Sequence, residues 1–341
     1  MRWDHLRLAE DAAAPGLPLI ERRSVARTFD TPGFRGMTFY EVRARTVINR
    51  VPAASRVPFE WTINPYRGCS HACVYCFARK THEYLDLDAG ADFDSRIVVK
   101  VNAAERVRAE LAAPRWRGAP IAMGTNVDCY QRAEGRYRLM PGILAALRDA
   151  ANPFSILTKG SLILRDLPLL RQAAGRTRVS AAVSVGFADE SLWRLVEPGT
   201  PSPRRRLEVC AALNGAGVGC GVLMGPVLPY LADSPAQLED AVRRIAAAGA
   251  TSVTPIPLHL RPGAREWFQA WLRRHRPDLV VPYARLYRGG AYAPREYQDG
   301  IAAQVRDLAA RYGIAGPQHR DAAPPAPPPA SPPGPRQLTL L

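Results

Sequence analysis

The sequence predicts an α/β fold built on a parallel sheet, and three observations carry that expectation. Apolar runs of strand length alternate with helical patterns of about 10–15 residues, roughly six times between residues 59 and 275, as consecutive βαβ units require. Helix punctuation agrees. Ser202-Pro203 and Ser234-Pro235 each put a capping hydroxyl before a proline at the first helical position, and Gly217 and Gly249 stand where helices should end. The chain is also long enough, at 341 residues with 47% apolar, to bury a large core. A partial (β/α)6 barrel and an open doubly wound sheet both fit this alternation. In either fold, chemistry belongs at the C-terminal ends of the strands.

In chain order, residues 1–58 show little periodicity and read as an arm over the core, with 38–49 extended. Strands are expected over 59–63, 97–101, 120–125, 153–158, 179–186, 218–224 and 252–257. Helices are expected over 103–112, 137–150, 162–174, 189–196, 204–216, 235–248 and 263–274. The repeating domain therefore spans 59–275, and a helical extension covers 276–320 with a helix over 295–312. Residues 321–341 form a tail. Eight of the fifteen residues from Asp321 to Pro335 are proline, so this stretch cannot build a core and reads as a disordered, extended spacer.

Composition narrows the class. No run approaches a membrane span and no secretory signal core opens the chain. The six cysteines, at 69, 73, 76, 129, 210 and 220, do not make a secreted disulfide framework, so a reducing cytoplasm is expected. Lysine and arginine number 46 against 31 acidic residues, leaving +15, which favours polyanionic partners by counterion release.

The densest chemistry lies in Asn64-Pro-Tyr-Arg-Gly-Cys-Ser-His-Ala-Cys-Val-Tyr-Cys-Phe77, where the first strand ends. Cys69, Cys73 and Cys76 stand at spacing C-x3-C-x2-C with no fourth cysteine nearby. Three thiolates on one loop suit a four-iron cluster with one iron left open, since closed zinc and iron–sulfur sites want four protein ligands. Zinc with His71 or His82 as fourth ligand, and three unrelated buried thiols, are the competing readings.

That spacing, with Tyr75 and Phe77 flanking the last cysteine, resembles the signature of radical S-adenosylmethionine (SAM) enzymes, and most closely their spore photoproduct lyase-like branch. Within the branch the chain is similar to an uncharacterised bacterial group. The motifs are Asn64-Pro-Tyr-Arg-Gly-Cys69, Met123-Gly-Thr-Asn-Val-Asp-Cys-Tyr-Gln131 and Glu197-Pro-Gly-Thr-Pro-Ser-Pro-Arg204. The resemblance implies a partial (β/α)6 barrel of the TIM type and a 4Fe–4S cluster on Cys69, Cys73 and Cys76. It also implies SAM on the open iron, cleaved by one electron to methionine and a hydrogen-abstracting 5′-deoxyadenosyl radical. Lys159 and Ser184, at consecutive strand ends, resemble positions that hold SAM in this branch, Lys159 against its carboxylate. Thr125, Asn126 and Asp128 follow another strand end and either line the SAM or substrate cavity, Thr125 and Asn126 as cofactor contacts, or form an Asx-type turn.

Cys129 is a candidate hydrogen-atom donor, whereas Cys210 and Cys220 read as core. The lyases reverse a thymine dimer in DNA with a cysteine past the second strand. Aligned on Asp128, that position is Thr125 here and Cys129 is out of register, which argues against dimer reversal itself.

Two further stretches point to partners. Trp267, Trp271, Tyr287, Arg288 and Tyr292 mix aromatic faces with positive charge, as nucleic-acid channels do, although the two tryptophans suit helix packing better. Of Arg204, Arg205 and Arg206, one is placed to reach a carboxylate or phosphate. Gln337, Leu338, Leu340 and Leu341 resemble the peptide by which bacterial repair proteins bind the DNA sliding clamp. The expectation is thus a cytoplasmic radical SAM enzyme acting on DNA. A radical SAM enzyme on a small molecule or peptide, and a non-enzymatic metal-stabilised nucleic-acid-binding protein, are the alternatives.

Overall fold

The structure is a computed structural model that describes residues 24–314 except 53, 54 and 56. The expected clamp peptide, Gln337 to Leu341, and the Pro-rich segment before it lie outside the described residues.

Among the described residues the strands fall into two sheets. β1 (Val25–Arg27), β2 (Thr38–Val42) and β3 (Ile48–Arg50) come before the cysteine loop, which β4 (Trp61–Ile63) and β5 (Tyr66–Arg67) introduce. Then follow β6 (Arg96–Lys100), β7 (Ile121–Met123), β8 (Phe154–Thr158), β9 (Val179–Ser184), β10 (Cys220–Val227) and β11 (Val253–Pro257). The larger sheet runs β3-β4-β7-β8-β9-β10-β11. Its last six strands are parallel and each pairs with the next in chain order, while β3 lies antiparallel on the edge of β4. A doubly wound sheet would reverse strand order at a switch point. None occurs here, and β11 does not return to β3, so the sheet is a partial (β/α)6 barrel.

The apolar run at 97–101, expected among the barrel strands, is instead β6 of the smaller sheet, ordered β1-β2-β6-β5. It pairs parallel with β2 and antiparallel with β5. Ile97, Val98, Val99 and Lys100 are all buried, and a run covered on both faces carries no periodicity to say which sheet owns it.

Helices cross between the parallel strands on the outside. Leu139–Asp149 leads to β8, Leu167–Ala174 to β9, Pro203–Gly215 to β10 and Pro235–Ala247 to β11. The long helix Arg295–Arg311 then packs on β11 and on Pro235–Ala247, completing the sixth unit. Ala264–His275 packs instead on the short helix Val280–Leu286 in a second, smaller core with Trp271, Tyr283 and Tyr287. Tyr287 is only 3% exposed and donates its hydroxyl to Leu258 O, so it is a core residue and offers no nucleic-acid stacking face. The main core holds Cys69 and the smaller one Cys73, so the cysteine loop sits at the seam between them. No helix among the described residues is long and apolar enough to cross a membrane.

Candidate active site

The C-terminal ends of all six parallel strands meet around one cavity, as the fold requires. From the β4 exit come Cys69, Cys73 and Cys76, and from the β7 exit Gly124 to Asp128. β8 supplies Thr158 and Lys159, β9 Ser184, β10 Gly225 and Pro226, and β11 Leu258 and His259. The expected cluster cysteines and Thr125, Asn126, Lys159 and Ser184 therefore share one wall, although up to 115 residues of chain separate them.

The cysteine loop is pinned from several sides. Gln131 accepts from Ser70 N at 2.9 Å and donates to Gly68 O at 2.9 Å. Val74 N donates to Val196 O at 3.0 Å, and Gly199 N to His71 O at 3.1 Å. A Cβ on Gly199 would stand 2.1 Å from Ser70 O, so only glycine lets these two loops touch. Behind the loop, buried Arg79 donates to Cys73 O at 3.0 Å and grips both oxygens of Asp94 at 2.9 Å.

Asp128 ties the β7 and β8 exits together. It accepts from Thr158 Oγ1 at 2.6 Å, from Lys159 N at 2.6 Å and from Tyr130 N at 2.8 Å, the last closing an Asx turn. Burial pushes its carboxyl up, but His71, 3.4 Å away, and these hydrogen bonds outweigh it and hold the pKa at about 2.

Lys159 Nζ donates to Ser184 Oγ at 2.6 Å and to Gly225 O at 3.3 Å, and lies 3.8 Å from Glu197 Oε1. Ser184 Oγ donates in turn to Gly225 O at 2.8 Å. The β10–β11 register shifts between Met224 and Val227, where Gly225 presents that carbonyl. Below the cavity, buried Glu197 accepts from the Tyr75 hydroxyl and from Arg206 Nη2, while Arg206 Nη1 donates to Ser184 O at 2.6 Å. Burial raises the Glu197 carboxyl, yet Arg206 first and Lys159 next bring it below its ordinary value. Arg204 and Arg205 face solvent.

Cys129 does not join this wall. It is 0% exposed, lies in the main core and is absent from the cavity lining. The structure thus sets the expected hydrogen-atom donor in the core and does not bring it to the cavity with the other site residues. Cys210 and Cys220 are likewise buried. His259 escaped the sequence reading, although its place just past the 252–257 strand was the signal that would have found it.

The three-thiol set fits a cluster better than a single ion. Burial, chiefly, pushes all three thiols above their ordinary pKa, so their thiolates need a bound metal cation to offset the desolvation. Among the described residues, no three His, Cys, Asp or Glu side chains converge as one metal ion requires. His82 Nε2 lies 2.9 Å from Arg96 O, and His71 Nδ1 lies 3.4 Å from Asp128.

Comparison with known proteins agrees with this geometry. The sequence profile of the Radical SAM superfamily matches residues 63–245. An uncharacterized protein of Mycobacterium tuberculosis strain H37Rv is 50% identical over 330 residues, covering 95% of this chain and 96% of that protein. An uncharacterized protein of Methanocaldococcus jannaschii is 27% identical over 57% of this chain and 69% of its own length. Among solved structures, spore photoproduct lyase complexed with dinucleoside spore photoproduct superposes with a TM-score of 0.61 at 15% identity, covering 90% of this chain and 86% of that one. A variant of the same lyase, with AdoMet and the dinucleoside bound, gives the same TM-score.

Proposed function

The chain belongs to the Radical SAM superfamily, whose cofactors are a 4Fe–4S cluster and SAM, and from that premise we propose that it is an enzyme acting on DNA. The observation that carries the enzyme reading is the single cavity shared by Cys69, Cys73, Cys76, Lys159 and Ser184. The nucleic-acid reading is supported by the +15 charge and by a fold shared with a lyase solved on a dinucleoside.

When bound, the cluster and SAM supply an electron and a deoxyadenosyl radical that takes a hydrogen atom from substrate. The chain's residues do the rest. Cys69, Cys73 and Cys76 bind as thiolates. Lys159 would hold the SAM carboxylate with its ammonium, whose direction Ser184 and Gly225 O fix. Thr125 and Asn126 line the same cavity and would border SAM or the substrate. The cavity wall has no fourth thiol among the described residues, so return of a hydrogen atom from a cysteine, and with it dimer reversal by the lyase route, is not part of the proposal.

The test is deoxyadenosine release by the reconstituted, reduced enzyme with single-stranded, duplex and ultraviolet-irradiated DNA, alongside DNA binding across salt. DNA-stimulated release with salt-sensitive binding is expected. Release unaffected by every DNA, with no binding even at low salt, would overturn the nucleic-acid reading and leave a small-molecule or peptide substrate.

A further inference from the structure

Beside the cavity, three ring systems stand in a row, the outer two exposed and the middle one half-buried. Phe77 follows the last cluster cysteine and is 36% exposed, while Tyr292 is 53% exposed. His259 lies between them, 5.5 Å from each ring centroid and stacked on Tyr292. A backbone bridge joins His259 to Tyr292, so the row is held by main chain as well as by side chains. Arg261 completes it, with its guanidinium 5.7 Å from the centroid of Phe77 and Nη2 donating to the Tyr292 hydroxyl at 3.0 Å. Phe77 and His259 also line the cavity, so the row leads from solvent to the cluster loop.

A row of aromatic faces is costly to leave in water, and a cation beside it matches the two parts of a nucleotide. Aromatic planes take bases of any sequence, and arginine takes the phosphate or adds cation–π attraction. We propose that Phe77, His259 and Tyr292 form a stacking platform for an unpaired base of a DNA strand, with Arg261 facing its backbone. The inference rests on the nucleic-acid reading above and adds that the bound base is extruded or single-stranded, because a paired base inside a duplex has no free face to offer. Tyr292 is the residue to test, since it is the most exposed of the three and stands away from the cluster ligands.

The experiment measures binding of the full-length protein to two labelled oligonucleotides of equal length and charge, one with bases and one with an abasic stretch. Wild type is expected to prefer the strand with bases. Tyr292→Ala should weaken that strand by about tenfold, the loss of one stacking contact, and leave the abasic strand unchanged. Tyr292→Phe, which keeps the ring and drops the hydroxyl, should bind within about twofold of wild type. Equal wild-type affinity for both strands, or an unchanged preference in Tyr292→Ala, overturns the platform while leaving DNA as the partner. Binding of neither strand by wild type overturns the nucleic-acid reading together with it.

Discussion

Four groups meet at Glu197: the Tyr75 hydroxyl, the Arg206 guanidinium, the Thr200 hydroxyl and, slightly farther off, the Lys159 ammonium. Tyr75 lies in the cysteine loop and Lys159 at the end of β8, so one carboxylate orients both the loop and the cation expected to meet SAM. Its depressed pKa makes it a stabilising anion above the ordinary carboxylate range, and that stability is lost as pH falls through the lowered value. Removing Arg206 leaves a buried charge without its closest partner. Arg206→Met is therefore expected to cost on the order of 3–5 kcal/mol in a denaturant titration, with reduced cluster content on reconstitution. A change below about 1 kcal/mol would mean that Glu197 does not depend on Arg206 for its charge. The sequence marked Glu197 and the arginine run, but not which arginine turns inward. That choice follows from helix phase, which puts Arg206 below Ser184 and leaves Arg204 and Arg205 in water.

At the scale of elements, strand ends were readable where an apolar run stops abruptly at polar residues, as at Thr158-Lys159. The contacts holding the cysteine loop were not, since Gln131, Val196 and Gly199 reach it from distant loops. The sheet that owns β6 was hidden for the related reason that burial on both faces erases periodicity. Gly124 shows how tightly the β7 and β8 exits fit. It has φ +75°, and a Cβ there would lie 1.8 Å from Leu157 O. Gly124→Ala is expected to cost more than the roughly 1–3 kcal/mol of backbone strain alone, because β8 must also shift. Gly217→Ala, at φ +79° with open space around it, should cost the strain only. Thermal midpoints and SAM titrations separate the two. SAM affinity should fall in Gly124→Ala and hold in Gly217→Ala. Equal affinities would show that the β7 exit does not shape the SAM cavity.

For the molecule as a whole, alternation of strand and helix announced parallel βαβ units but left barrel and open sheet undecided. The sequential pairing from β4 to β11 decides it, and no local pattern encodes pairing order. That order turns six strand ends toward one cavity and sets the cysteine loop on the seam between two cores. The central claim is that this arrangement puts SAM between the cluster cysteines and Lys159. The most direct measurement is the electron paramagnetic resonance spectrum of anaerobically reconstituted, reduced protein, with and without SAM, in wild type and in Lys159→Ala. Wild type should give a four-iron signal that changes on adding SAM. Lys159→Ala should keep the SAM-free signal but need about tenfold or more SAM for the same change, as loss of a charge-assisted contact implies. An identical SAM dependence in the two proteins, or no SAM response in wild type, would contradict the account.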